Sequence, residues 1–160
     1  MKACYPGTFD PITLGHLDII IRSANLFDEV DILIMENPRK QCTFSAEERK
    51  DMIEACLREV GGLDNVNVLV GSGLTVEFAR QRGAHVIVRG IRAVTDYEYE
   101  LTQATANMKL AGDIETVILI AKPEYSFLSS SVVKEIALNH GDIKGLLPDV
   151  IVGRVSEKFQ

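Results

Sequence analysis

Five short runs, four of them rich in β-branched residues and each set apart from the next by a longer stretch of helical character, constrain this chain more than any other feature. The runs cover residues 2–5, 30–35, 66–70, 86–89 and 116–121. Each has the length of a strand, and the last four have its Val/Ile content. They show little polar alternation, which is the pattern of strands covered on both faces. Between and after them the sequence predicts helices over about 16–27, 45–60, 75–82, 95–111, 130–139 and 148–158. Ser45-Ala46-Glu47-Glu48 has the form of a capping box. Gly83 and Gly141 stand where helices commonly end on glycine. Repeated strand–helix–strand order implies right-handed crossovers and a parallel sheet. The expected fold is therefore α/β: one doubly wound, Rossmann-like domain over residues 1–160, with a five-stranded parallel sheet and helices on both faces. In such sheets ligands bind beyond the carboxyl ends of the strands, near the switch in strand order. Functional residues are accordingly expected after the first, second and fourth strands.

Composition narrows the partners. The chain has 160 residues, 46% hydrophobic and 25% charged, without Trp, so the expected core is Ile, Val, Leu and Ala. A net charge of -6 argues against a broad nucleic-acid surface, which needs cations to displace counterions from phosphates. It leaves room for a small phosphorylated ligand held by a few local cations. Cys4, Cys42 and Cys56 form no C-x-x-C pair and read as reduced thiols. No charged leader followed by an apolar stretch opens the chain, and no apolar run nears the ~20 residues of a membrane span. The expectation is a cytoplasmic protein without membrane or nucleic-acid partners.

After the first strand comes the turn-rich loop Pro6-Gly7-Thr8-Phe9-Asp10-Pro11, and then Thr13-Leu14-Gly15-His16 opens a helix. A helix N-terminus offers unpaired N–H groups and a positive dipole end to a phosphate. His16, on that first turn, either donates to a phosphate oxygen bearing developing charge or merely caps and packs. Thr8 adds a hydroxyl donor. Lys40, after the second strand, suits a terminal phosphate, though an exposed lysine there is also an ordinary surface charge. After the fourth strand, Arg89 and Arg92 flank Gly90 and Ile91, with Asp96 and Glu100 beyond. Arginines there make bidentate phosphate contacts or an ion-pair network with those acids, and the two can coexist. Ser129, Ser130 and Ser131 supply donors for an anion or a simple N-cap, and Thr75 is a second candidate cap. There is no G-x-G-x-x-G or P-loop pattern, no Ser/His/Asp triad, and no carboxylate at ligand spacing from His85 or His140. A dinucleotide dehydrogenase, a P-loop kinase and a protein-held metal are disfavoured.

The string Tyr-Pro-Gly-Thr-Phe-Asp-Pro-Ile-Thr-x-Gly-His resembles the signature of the nucleotidylyltransferase superfamily, with its T/H-x-G-H motif. More narrowly, it is similar to bacterial phosphopantetheine adenylyltransferases. The segments Arg89-Gly90-Ile91-Arg92, Asp96-Tyr97-Glu98-Tyr99-Glu100 and Tyr125-Ser126-Phe127-Leu128-Ser129-Ser130-Ser131 resemble the same family, so the likeness covers essentially the whole chain. It implies transfer of AMP from ATP to 4'-phosphopantetheine, giving dephospho-coenzyme A and pyrophosphate. It assigns His16 to the transition state at the α-phosphate, Lys40 and Arg89 to the nucleophilic phosphate with Thr8 steering it, and Thr75 to the pantetheine arm. ATP falls to Thr8, Phe9, His16, Gly90, Ile91, Arg92, Glu100, Tyr125, Ser126, Phe127, Leu128, Ser129, Ser130 and Ser131. Mg²⁺ is expected on the ATP phosphates, with no protein-held metal. A homohexamer with feedback by coenzyme A is also implied. Gln41, Gly73 and Leu128 depart from the family pattern. Two rivals stand beside this reading: a nucleotidylyltransferase acting on nicotinate mononucleotide or glycerol phosphate, and a non-catalytic nucleotide sensor.

Overall fold

Side chains that alternate along three neighbouring strands fall into two separate cores, one on each side of a parallel sheet. The computed structural model describes residues 1–160. Its elements are β1 (Lys2–Gly7), α1 (Leu14–Leu26), β2 (Glu29–Glu36), α2 (Ala46–Val60), β3 (Val66–Ser72), α3 (Thr75–Gln81), β4 (Val86–Ile91), α4 (Val94–Leu110) and β5 (Glu115–Ile120). A 3-10 turn (Pro123–Tyr125), α5 (Ser130–Leu138) and α6 (Asp149–Lys158) complete the chain. The sheet is parallel throughout, in the order β3-β2-β1-β4-β5. Ala3, Tyr5, Ile32, Ile34, Val86 and Val88 face a core of 24 buried residues that includes positions on α1, α2, α5 and α6. The intervening Cys4, Leu33 and Ile87 face a smaller core with Val76 and Ala79 of α3. Burial on both faces is why these strands read as continuous apolar runs.

Every expected strand and helix is present, with two instructive shifts at the ends. Four strands run one or two residues further than the apolar runs suggest. Gly7 pairs with Ile34, Glu36 with Ser72 and Ile91 with Ile120. Here the neighbouring ladder imposes strand geometry on residues of low intrinsic preference. That extension carries Gly7 and Gly90 to the sheet's carboxyl edge. At helix ends, Gly83 takes the left-handed conformation as expected (φ 69°), but at the end of α5 His140 does so instead (φ 58°). Gly141 serves close packing: a Cβ there would lie 2.7 Å from Cγ2 of Ile136. The 3-10 turn, with Pro123 at its first position, lies where no element was expected.

Asp31 is fully buried on β2 and is held by Lys2 at 3.0 Å, by Arg82 at 2.9 Å and by an N–H of Asn67. Burial opposes its ionisation, but the hydrogen bonds from Arg82, Lys2 and Asn67 outweigh it, and the carboxyl is kept below its usual range. No helix is long and apolar enough to cross a membrane. The switch in strand order falls between β1 and β4, so a crevice opens beyond their carboxyl ends.

Candidate active site

A cleft of about 390 Å³ occupies that crevice, walled by the β1–α1 loop, the end of β4 and the start of α5. Gly7 is required by its floor. A Cβ at this position would lie 2.9 Å from the ring of Phe9, which sits buried at a left-handed φ of 50°. The Phe9 ring meets Tyr5 and His16 edge-on, with centroids 5.4 and 5.1 Å away. Gly90 lets α1 approach β4 closely, since a Cβ there would be 3.3 Å from Ile19.

His16 is the third residue of α1 and completes its cap. The Thr13 hydroxyl accepts the His16 N–H at 3.3 Å, and the Thr13 N–H donates to Nδ1 of His16 at 3.1 Å. This is a capping box with imidazole in the place usually taken by Glu or Gln. Because Nδ1 accepts a backbone N–H, the ring proton resides on Nε2. Burial, followed by the nearby charges of Arg92 and Arg89, lowers the imidazole pKa to about 4. At neutral pH the ring is an uncharged Nε2–H donor. Capping and donation, alternatives on sequence grounds, would use opposite nitrogens and are compatible.

The cations of the cleft are mostly spent on neighbouring acids. Nε and Nη2 of Arg89 each reach Glu100 at 2.7 Å, and its Nη1 donates to the Pro6 carbonyl at 2.8 Å. Arg92 bonds Asp96 through Nε at 3.0 Å and the Leu128 carbonyl through Nη1 at 2.8 Å. Lys134 meets Asp10 at 2.9 Å, while Asp10 also accepts the N–H groups of Thr43 and Phe44 at 2.9 Å each. Burial disfavours the Asp10 anion, but those N–H groups and the ammonium outweigh it and hold its pKa down. The ion-pair network is thus real, and Glu100, assigned by resemblance to the nucleotide, has both oxygens on Arg89. Lys40 alone among the lining cations lacks a carboxylate partner; its Nζ donates to the Thr8 hydroxyl at 3.2 Å.

At the start of α5, the Ser129 hydroxyl caps the helix by accepting from Val132 N–H at 3.1 Å. Ser130 donates to the Pro11 carbonyl at 2.8 Å, and exposed Ser131 completes the rim. Tyr125 and Leu128 line the same cleft, whereas Ile91, Ser126 and Phe127 do not. Thr75 lies apart, in an adjoining hollow of about 650 Å³ that shares Thr8, Lys40, Arg89 and Glu100 with the first. It caps nothing: the N-cap of α3 is Leu74, without a side-chain bond. Gly73, in the same hollow, has φ 85°, a conformation suited to glycine. Sequence reasoning assigns no role to Asp10, Lys134 or Arg49. Their partners are backbone groups, or in one case a side chain 124 positions away, and no local pattern marks such pairs.

Comparison with known proteins identifies the family. The cytidylyltransferase-like family model matches residues 4–136. A phosphopantetheine adenylyltransferase of Thermotoga neapolitana is 51% identical over 160 residues, covering 100% of this chain and 98% of that one. The proteins of that name from Bdellovibrio bacteriovorus (51%, covering 99% and 97%) and Prochlorococcus marinus (48%, covering 100% of both) are similar over the same span. Among solved structures, the nicotinic acid mononucleotide adenylyltransferase of Plasmodium falciparum superposes with a TM-score of 0.74 over 99% of this chain and 98% of its own. Its identity is 16%, so that likeness concerns the fold alone.

Proposed function

This chain belongs to the phosphopantetheine adenylyltransferase family, and on that premise we propose that the cleft transfers AMP from ATP to 4'-phosphopantetheine. A phosphate oxygen of the acceptor attacks the α-phosphorus in line. The bond from that phosphorus to the β-phosphate oxygen breaks, and pyrophosphate leaves. The attacking group is already an anion, so no covalent enzyme intermediate is needed. The protein's work is to align two polyanions and to stabilise the charge spreading over the transferring group.

The observation that carries this reading is the state of His16: a neutral imidazole at a helix N-terminus, with Nδ1 occupied and Nε2–H free to meet an α-phosphoryl oxygen. Such a donor stabilises developing charge without being consumed. Lys40 is read as the holder of the acceptor phosphate because it is the cleft cation without a carboxylate partner, with Thr8 beside it. Arg89 retains N–H groups beyond those given to Glu100 and Pro6 and is read as a second contact to that phosphate. Arg92, Ser129, Ser130 and Ser131 are read as the seat of the leaving pyrophosphate, since α5 presents its N-terminus there. The adjoining hollow with Thr75 suits the pantetheine arm, and coenzyme A, which shares that arm, is read as a feedback ligand. Asp10, Asp96 and Glu100 are each engaged by a cation, so Mg²⁺ is read as a companion of the ATP phosphates rather than of a protein cage.

Two further features belong to the same proposal. Free Cys4, Cys42 and Cys56 favour a reducing, cytoplasmic setting. The exposed apolar residues of α4 favour self-association, and the family resemblance is what implies six copies. The test of the function is pyrophosphate release on mixing the protein with ATP, Mg²⁺ and a panel of acceptors. Release with 4'-phosphopantetheine, and not with nicotinate mononucleotide or glycerol phosphate, is expected. A preference for another acceptor overturns the substrate, and silence with all of them leaves a nucleotide sensor.

A further inference from the structure

Arg49, near the start of α2, is 3% exposed and has no carboxylate beside it. Its partners are three main-chain oxygens: Nε donates to Phe44 at 3.1 Å and Ser45 at 3.3 Å, and Nη1 donates to Thr8 at 2.7 Å. The acids around it are already neutralised, Asp10 by Lys134 and Glu48 by Lys158. A buried guanidinium without a counterion is costly, and an apolar side chain would fill the volume with less penalty. Packing alone therefore does not account for it.

Its reach does. Thr8 receives two unneutralised cations, Arg49 at its carbonyl from behind the wall and Lys40 at its hydroxyl from the open side. Asp10, two residues on, reaches back to the N–H groups of Thr43 and Phe44, and the Phe44 carbonyl is one of Arg49's acceptors. The loop after β1 and the approach to α2 are thus clasped in both directions. We propose that Arg49 is a positioning residue for the transfer reaction. It fixes the Thr8 backbone so that the Thr8 hydroxyl and the Lys40 ammonium present one preset site to the acceptor phosphate, and its own charge stands behind that site. The inference rests on the reading of this cleft as the transfer centre.

Two variants and a double-mutant cycle test it. Arg49→Lys keeps the charge and the stem but cannot span all three carbonyls; Arg49→Gln removes the charge. For Arg49→Lys, KM for 4'-phosphopantetheine should rise about tenfold, the scale of one charge-assisted hydrogen bond, while the dissociation constant for ATP moves by less than about twofold. Arg49→Gln should raise the same KM further. In a Thr8→Ala background the Arg49→Lys change should lose most of its effect, because coupled residues are not additive. Amide spectra of Arg49→Lys should show shifts and faster exchange confined to Thr8, Phe9 and the segment around Lys40. Equal losses in both backgrounds, or a lowered Tm with unmoved KM and unmoved Thr8 and Lys40 amides, would overturn the role. If Arg49→Gln does not fold, Arg49→Lys decides. If the wild-type protein transfers no AMP to phosphopantetheine, the functional reading fails, and the amide spectra still decide whether Arg49 positions Thr8.

Discussion

The location of one proton governs what His16 can contribute. Thr13 N–H occupies Nδ1, so the remaining proton is on Nε2, and burial keeps a second proton off until about pH 4. A cationic imidazole would have to turn Nδ1 into a donor and so lose the bond it accepts from Thr13 N–H. The ring is therefore preset as a neutral hydrogen-bond donor over the whole physiological range. NMR titration of the His16 ring should give a midpoint near 4, with ¹⁵N shifts of the Nε2–H tautomer below neutrality. A midpoint near the ordinary 6.5 would remove the basis for the assignment. The sign for stability follows: the unfolded chain takes up the proton first, so this term leaves stability whole above pH 6.5 and erodes it as pH falls from 6.5 toward 4. Catalysis and capping can also be separated. His16→Gln retains a side chain that serves the third position of a capping box while removing the imidazole donor. It should melt within a few degrees of wild type yet lose roughly two orders of magnitude in kcat, the scale of one lost electrostatic donor.

At the scale of elements, the cleft depends on how α5 is moored to the β1–α1 loop. Two bonds do this, Ser130 to the Pro11 carbonyl at 2.8 Å and Lys134 to Asp10 at 2.9 Å. Lys134→Met keeps most of the stem's packing and leaves buried Asp10 with two backbone donors and no cation. A loss of roughly 1–3 kcal/mol is expected, or about 5 °C in Tm for a chain of this size. KM for ATP should rise more than KM for the acceptor, because the helix start moves and Lys40 does not. Calorimetry with steady-state kinetics checks both, and equal shifts in the two Michaelis constants would contradict the mooring. The elements themselves were legible in the sequence because short, mostly apolar runs alternate with longer helical stretches and because Ser45 and Glu48 form their cap locally. The convergence of Thr8, His16, Lys40, Arg89 and Arg92 on one cleft was legible because loop chemistry sits at strand ends; Ile91, Ser126 and Phe127 were expected there too and do not line it. What holds them was not: the Arg89–Glu100 pair could be suspected from an interval of eleven residues, but Lys134–Asp10 and Arg49–Thr8 join segments that only the folded sheet brings together.

For the whole molecule, the question is what covers α4. Of its 17 residues only Glu100 is buried, and that side chain points its charge at Arg89. Val94, Tyr97, Leu101 and Met108 are 74%, 45%, 48% and 58% exposed. At 100° per residue these four fall within an arc of about 60°, so they form one stripe along more than three turns. A soluble monomer seldom leaves such a set of aligned apolar side chains in water, and symmetric association of identical chains is the ordinary way to cover it. Leu101 sits at the middle of the stripe, where a carboxylate would be desolvated against a second copy without a partner. Leu101→Glu should therefore keep the fold, since nothing in the monomer packs over that position, while breaking the assembly. Sedimentation equilibrium should move from the wild-type mass, about six times 17.7 kDa if the proposed hexamer holds, toward the monomer or a smaller oligomer, with an unchanged far-ultraviolet spectrum. A variant that sediments with the wild type would place the contact on another surface. A wild-type chain that is itself monomeric would leave the stripe exposed and overturn the hexamer.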